Sequence, residues 1–292
     1  MRILLTGGTG FIGARVTAAL EARGDVVVVV SRRPSSAGRA SVGWDAIAGE
    51  VERADAVVHL AGEPVADERW TPARLERIRS SRVDTTERIA RAIVEAPPRP
   101  RVFVSASAVG FYGMRRDDAV CDEDTPPGDD VLARICVEWE RAAEPARSAG
   151  ARVVHPRIGV VLGHGGALAK MSKAFRWFVG GPVGDGKQWV SWIHVDDAVR
   201  ALLLLLDTAS LAGPVNLVGP APVTMNDLAR ALGKALGRPS ALRVPAAALR
   251  LALGEGLAEL LLTGKRVTPR RLEAAGFVFA FARLEEALAG LV

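Results

Sequence analysis

Residues 1–13, MRILLTGGTGFIG, run a short apolar strand into Gly7, Gly10 and Gly13. The amphipathic stretch ARVTAALEARG follows at once and closes on Gly24, a residue suited to a helix C-cap. Strand, glycine turn and helix in that order form the context a dinucleotide-binding fingerprint requires. One glycine permits the tight turn, one lets a pyrophosphate approach the backbone, and one lets helix pack closely on strand. Free N–H groups at the helix start then attract the phosphates. The reading predicts a dinucleotide site on Gly7, Gly10, Phe11, Ile12 and Gly13; a purely structural turn is the alternative.

The second strand bears on which dinucleotide. It ends VVVVVSRRP at 26–34. A site for NAD usually places Asp or Glu there to hold the ribose 2′-hydroxyl. Ser31, Arg32 and Arg33 stand there instead. A carboxylate would repel a 2′-phosphate, whereas a hydroxyl and two guanidiniums hold one through charge-assisted hydrogen bonds. NADP(H) is therefore the expected cofactor, with a solvated arginine pair as the alternative.

The chain has 292 residues, 49% of them hydrophobic and 24% charged, a composition that supports a substantial core and argues against disorder. The formal net charge is +5. Arginine far outnumbers lysine along the whole chain, and no basic stripe interleaved with aromatics marks a nucleic-acid surface. A small anionic ligand is the modest inference, with no nucleic-acid partner. The longest apolar runs, 26–30 and 201–206, are far below a membrane span, and the opening strand is too short for a secretory signal. Cys121 and Cys136 have no metal-ligand spacing and read as free, reduced thiols, so no metal is expected. A soluble cytoplasmic protein without membrane partners is the expectation.

Strand-like and helix-like segments alternate along the first two hundred residues. They are helix 11–23, strand 25–31, strand 54–60, a long helix 72–96 capped by Thr71 and ending at Pro97, strand 101–105, helix 131–149 and strand 151–155. Helix 196–206, with Asp196 as N-cap, and strand 215–219 follow. This rhythm of near-continuous apolar strands predicts an α/β fold, a Rossmann-like doubly wound parallel sheet with a smaller C-terminal substrate-binding lobe. The predicted division puts 1–165, with 190–218 returning, in the NADP-binding domain, and 166–189 with 219–292 in the smaller lobe. Residues 163–192, rich in Gly, Lys and Trp, read as a binding surface.

Several stretches together resemble a known family. TGGTGFIG at 6–13, DAVVHLAG at 55–62, VSASAVGFYG at 104–113 and WIHVDD at 192–197 are similar to the extended short-chain dehydrogenase/reductase superfamily, its NAD-dependent epimerase/dehydratase group. HLAGEPV, the RW at 69–70, VEWE at 137–140, HPRIGVVLG, GGAL and RRLEAAGF narrow the resemblance to an atypical subgroup often labelled as epimerases or cell-division inhibitors. The resemblance implies cofactor contacts at Leu60, Ala61, Gly62 and Ser105, and an aspartate, Asp45, near the adenine. It also implies a small-molecule substrate and a homodimer through the helices at 72–96 and 131–149.

Typical members transfer hydride with a Ser or Thr and a Tyr-x-x-x-Lys pair, the lysine lowering the tyrosine pKa. Ser107 matches the first position. Val131 and Ile135 stand where the tyrosine and lysine belong, Tyr112 is the only tyrosine, and no lysine precedes Lys170. Tyr112 either faces the nicotinamide or packs its turn. Arg82 occupies roughly the place of an active-site asparagine, and either binds an anionic substrate or makes a surface ion pair. Glu63 either reaches the cofactor edge or is a loop carboxylate. Gln188, Trp189 and Trp192 suit a substrate-pocket wall, and His194 an acid/base or a scaffold imidazole. His59 reads as a buried, satisfied imidazole, and Asp196 and Asp197 as helix caps. The function these residues imply is an NADP(H)-binding oxidoreductase or epimerase-like protein. The alternative is a non-catalytic NADP(H) sensor or scaffold.

Overall fold

The apolar runs of the first half become neighbours in one parallel sheet. The computed structural model describes residues 1–34, 40–96 and 100–292. In chain order the first half comprises β1 (Arg2–Thr6), α1 (Gly13–Ala22), β2 (Val26–Val30), β3 (Ser41–Val42), α2 (Ile47–Arg53), β4 (Ala56–His59), α3 (Pro72–Ser80), α4 (Val83–Glu95), β5 (Val102–Ser105), β6 (Ser107–Ala108), β7 (Val120–Cys121), α5 (Val131–Ala142), α6 (Glu144–Ser148) and β8 (Arg152–Ile158). Then come β9 (Val160–Leu162), α7 (Gly166–Arg176), β10 (Trp189–Val190), β11 (Trp192–His194), α8 (Val195–Asp207), β12 (Gly213–Leu217), β13 (Val223–Thr224), α9 (Met225–Leu236), α10 (Ala246–Leu253), α11 (Glu255–Leu262), β14 (Arg266–Val267), α12 (Arg270–Ala274) and α13 (Leu284–Ala289).

The sheet runs β12-β8-β5-β4-β1-β2-β3 with every pairing parallel, and β6 adds to β8. This is the expected doubly wound, Rossmann-like architecture. The strand order reverses between β1 and β4, which opens a crevice at their C-terminal ends. Side chains alternate across the sheet. Ile3 and Leu5 of β1 join Val16 and Leu20 of α1 and Leu202 of α8, while Leu4 joins Ile89 and Ile93 of α4 and Val51 of α2 on the other face. Burial on both faces is why these strands read as continuous β-branched runs rather than as alternating ones.

A second core holds Leu162, Leu168, Phe175, Trp192, Leu228, Leu232 and Leu288, contributed by β9, α7, β11, α9 and α13. On β11, Trp192 faces this core and Ile193 faces the first, so one short strand joins the two. The Gly- and Trp-rich stretch at 163–192 thus contains a helix, α7, as well as loops.

Three sequence expectations need correction. The helix expected over 72–96 is two, α3 and α4, interrupted at Ser81 and Arg82, whose side chains bond the carbonyl of Ile78 and so compete with the helical ladder. Thr71 does cap the first, its Oγ1 accepting from Arg74 N at 3.1 Å, and α4 ends at Glu95; Pro97 lies outside the described residues. The helix expected over 131–149 is also two, because Pro145 fits only the first turn of a new helix, α6. The N-cap of α8 is His194 rather than Asp196: its Nδ1 accepts from Asp196 N at 3.1 Å. Asp197 is buried and accepts from Ala280 N and Phe281 N at 3.0 and 2.9 Å, tying the C-terminal segment to α8. Among the described residues no helix is long and apolar enough to cross a membrane.

Candidate functional site

The loops after β1 and β4 approach each other backbone to backbone at Gly7. A Cβ at Gly7, where φ is +73°, would stand 2.8 Å from Ala61 N, and one at Gly13 would stand 2.1 Å from Gly7 O. Only glycine permits this approach. Gly10 N donates to Gly7 O at 2.9 Å, closing the turn. No side chain caps α1, and among the described residues the amides of Phe11, Ile12 and Gly13 meet no protein acceptor. Such a helix start suits a phosphate. The Phe11 ring is used elsewhere: it packs against Gly163, Gly165 and Gly166, with Arg15 over it at 5.0 Å.

His59, on β4, locks this region. Its Nδ1 meets Thr6 Oγ1 at 2.6 Å and its Nε2 meets Thr85 Oγ1 at 3.2 Å. Burial pushes the imidazole down to about 3, so the ring is neutral, as a satisfied core histidine should be. At the end of β2, Ser31 Oγ accepts from Arg33 N and donates to Arg33 O, both at 3.1 Å. Arg32 and Arg33 extend into solvent with no ion pair among the described residues. Asp45 is exposed in the short turn Trp44–Ala46 after β3. Ser105, at the end of β5, is fully buried and its Oγ has no protein partner.

Ser107 sits two residues beyond, and its Oγ donates to Glu140 Oε1 at 2.7 Å. Arg157 grips that carboxylate with both arms, Nε to Oε1 at 2.8 Å and Nη2 to Oε2 at 2.9 Å. Arg157 Nη1 donates to the Tyr112 hydroxyl at 3.0 Å, which donates in turn to Asn216 Oδ1 at 2.6 Å. The Tyr112 ring is buried in a cluster with Phe111, Cys121 and Cys136. Burial pushes the phenol up to about 12 even with Arg157 beside it. Its hydroxyl is thus engaged inside the protein. Glu140 and Arg157 were not singled out from the sequence, although VEWE and HPRIG contain them. The available signal was a charge inside an otherwise apolar strand or helix face, which survives burial only when paired.

Arg82 reaches the turn after β4. A Cβ on Gly62 would stand 3.1 Å from its guanidinium carbon. The guanidinium donates to the carbonyls of Ile78 and Glu63, each at 2.9 Å, and lies 5.2 Å from the Trp139 ring. It has no carboxylate partner among the described residues, so the surface ion pair is not what forms; burial holds its pKa below the usual arginine range. The carboxylate of Glu63 is engaged by the buried Arg74 of α3. Gln188 staples two backbones, its Nε2 donating to Val183 O at 3.1 Å and Leu261 O at 2.8 Å. Trp189 Nε1 donates to Asp118 at 2.8 Å, and Trp192 Nε1 to Ala221 O at 2.9 Å. His194 stacks on Phe281 at 3.7 Å while capping α8, and burial lowers its pKa. Val131 starts α5 beside a cluster of Ile78, Leu132 and Ile135. Both cysteines are free and buried.

Comparison with known proteins agrees with this geometry. The model of the NAD dependent epimerase/dehydratase family matches residues 3–218, from β1 through the end of β12. The chain belongs to the NAD dependent epimerase/dehydratase family. A second match, to a domain of unknown function (DUF1731), covers residues 244–291. Among relatives of this epimerase family, the epimerase family protein ML0860 of Mycobacterium leprae is 41% identical over 98% of this chain and 94% of its own length. The epimerase family protein SDR39U1 of Homo sapiens is 38% identical, with 100% of each chain covered. The crystal structure of human SDR39U1 (isoform 2) with NADPH superposes with a TM-score of 0.93 at 38% identity, covering 100% of this chain and 99% of that one. UDP-glucose 4-epimerase from Thermotoga maritima shares the epimerase fold, with a TM-score of 0.81 at 20% identity over 99% and 96% of the two chains.

Proposed function

We propose that this chain binds NADP(H) and acts as an oxidoreductase or epimerase-like enzyme on a small polar or anionic molecule. The residues present fit the cofactor. The uncapped start of α1 would take the pyrophosphate, Ser31 with Arg32 and Arg33 the 2′-phosphate, Asp45 the adenine side, and Leu60, Ala61, Gly62 and the orphaned Ser105 Oγ the edge nearer the nicotinamide. When bound, the nicotinamide gives or takes a hydride.

The Ser107–Glu140 hydrogen bond carries the reading. Ser107 Oγ keeps lone pairs that can accept a hydrogen bond from a substrate hydroxyl, and rotation of its O–H away from Glu140 would let the same atom donate to a carbonyl oxygen. Glu140, clamped by Arg157, keeps the serine rotamer in place. Tyr112 acts through Arg157 as a positioning residue, because a phenol pushed up to about 12 holds its proton at neutral pH. Arg82, whose hydrogen-bond acceptors among the described residues are neutral, orients an anionic group of the substrate from beside Gly62. A homodimer through the segments 72–96 (α3 and α4) and 131–149 (α5 and α6) belongs to the same reading, and light scattering tests it.

One observation favours a second reading, an NADP(H) sensor without turnover. Val131 and Ile135 replace the usual Tyr and Lys, and Ile135 is buried among apolar side chains. The deciding experiment incubates the protein with NADPH and a panel of aldehydes, ketones and nucleotide sugars. Oxidation of NADPH that Ser107→Ala abolishes establishes the enzyme. Tight NADPH binding with no hydride exchange into labelled substrate establishes the sensor.

A further inference from the structure

Between β4 and α3 the chain forms a strap, residues 61–71, with two well-held ends and a lightly held middle. At its root, Arg74 donates to the Glu63 carboxylate and to Pro64 O, Arg82 donates to Glu63 O at 2.9 Å, and Ser81 Oγ accepts from Glu63 N at 3.1 Å. At its far end Arg69 caps α10. Its Nε donates to Ala252 O at 3.0 Å, and its Nη2 to Leu251 O and Ala252 O at 2.6 and 2.9 Å. A cation on the last carbonyls of a helix satisfies them and complements the dipole. Trp70 adds to this anchor, since a Cβ on Gly256 of α11 would stand 2.8 Å from its ring.

The middle of the strap is held differently. Asp67 pairs with Lys170 of α7, and among the described residues this is the one hydrogen bond or ion pair between strap and helix. Both side chains are exposed, 44% for Asp67 and 60% for Lys170. Lys170 is the first lysine of the chain, and the proposed chemistry makes no use of it.

This pair closes a circuit. The start of α7 lies on Phe11, whose ring packs against Gly165 and Gly166. Lys170 follows about one helical turn later. From Asp67 the strap leads back to Gly62 and Ala61, and Ala61 N lies against Gly7. Gly7 and Phe11 flank the glycine turn, which the bond from Gly10 N to Gly7 O holds shut. The free amides at the start of α1 belong to this ring.

We propose that the circuit is a gate: the strap closes over bound NADP(H), and opening of the Asp67–Lys170 latch admits and releases it. The inference rests on the proposed cofactor site and adds how that site exchanges its ligand. With the root held at Glu63 and the far end at Arg69, lifting Asp67 breaks one exposed pair and leaves both anchors in place. Loop residues between fixed ends are the ones that absorb such a motion. An exposed ion pair biases an equilibrium by about two- to fivefold. Its loss raises the open fraction equally with and without ligand, so entry and release accelerate by the same factor and affinity stays constant.

Stopped-flow fluorescence of NADPH, with release followed by displacement with excess NADP+, tests this on wild type, D67N, K170Q and the charge swap D67K/K170D. Each single variant is expected to raise the association and release rates together, by about two- to fivefold, with Kd unchanged. The swap is expected to return both rates toward wild type. Unchanged rates in the single variants overturn the gate. Opposite shifts of the association rate in D67N and K170Q also overturn it, because the two residues would then only steer an anionic ligand. So does a change of Kd carried by one rate alone, the mark of direct contact with the cofactor. A swap that restores neither rate overturns the pairing as the latch. Wild-type protein that binds no NADPH defeats the proposed cofactor site itself, and the gate falls with it.

Discussion

Ser107 Oγ donates to Glu140 Oε1 at 2.7 Å, across 33 residues of sequence, and so ties the end of β5 and β6 to helix α5. The serine therefore has its rotamer set before any substrate arrives, which is what orientation requires of a group that must meet a reacting oxygen. Ser107→Ala should leave NADPH binding unchanged and lower kcat/KM about 10²–10³-fold, as loss of one donor to a reacting oxygen does elsewhere. Stopped-flow absorbance of NADPH with the best carbonyl of the panel reads the change. Undiminished turnover would remove Ser107 from the chemistry.

Glu140→Gln should act mainly on stability. Arg157 is 3% exposed and would lose its Glu140 carboxylate while remaining charged. Removing one partner of a buried pair costs about 3–5 kcal/mol. Urea denaturation at neutral pH should show the midpoint falling with an unchanged slope. A variant as stable as wild type would mean that Arg157 finds another acceptor.

On the proposed reading, Arg32 and Arg33 set the choice between the two dinucleotides. Replacing both by alanine should weaken NADPH binding by about 2–4 kcal/mol, from two lost contacts to a charged group, and leave NADH nearly untouched. The NADPH affinity of wild type should also fall with salt more steeply than that of the double variant, because exposed charges are screened. Equal losses for NADPH and NADH would place the 2′-phosphate elsewhere.

Gly13→Ala tests the close approach of α1 to the turn. The added Cβ would sit 2.1 Å from Gly7 O, and no flexible side chain is available to yield. We expect a lower Tm together with loss of NADPH binding. By contrast, Gly49→Ala, on α2 with no atom within 4 Å of the new Cβ, should raise the Tm slightly by helix propensity. Thermal scans with and without NADPH distinguish the two.

His59 predicts an acid-side loss of stability. Its imidazole is pushed down to about 3 by burial, whereas in the unfolded chain it titrates near 6.5. Between those values the unfolded chain binds a proton that the folded chain refuses. Stability from this group is therefore complete above about pH 6.5 and falls progressively as pH drops toward 3. His59→Gln, which keeps hydrogen-bonding capacity toward Thr6 and Thr85, should flatten that part of the urea-midpoint profile. An equally steep profile in the variant would assign the pH dependence to other groups.

Much of the fold was legible because it is encoded locally. The valines of β2, the apolar face of α1 and Thr71 ahead of Pro72 act over a few residues, so they can be recognised without knowing the tertiary structure. The missed helix breaks at Arg82 and Ala143 show the limit of that logic. A helical hydrophobic period continues across each break, while side-chain bonds to Ile78 O and the ring of Pro145 interrupt the backbone. The cap of α8 failed for a related reason: an imidazole replaced the more usual carboxylate.

The amino-acid sequence by itself determined the doubly wound sheet, the glycine turn and the cationic end of β2, since backbone conformation and strand burial follow from short-range pattern. Only the tertiary structure decided which charges meet. Glu140 finds Ser107 and Arg157, Glu63 is taken by Arg74, and among the described residues Arg82 donates only to neutral acceptors. Those pairings depend on strand register and on which groups lose water together, and neither quantity is written in the spacing of residues along the chain.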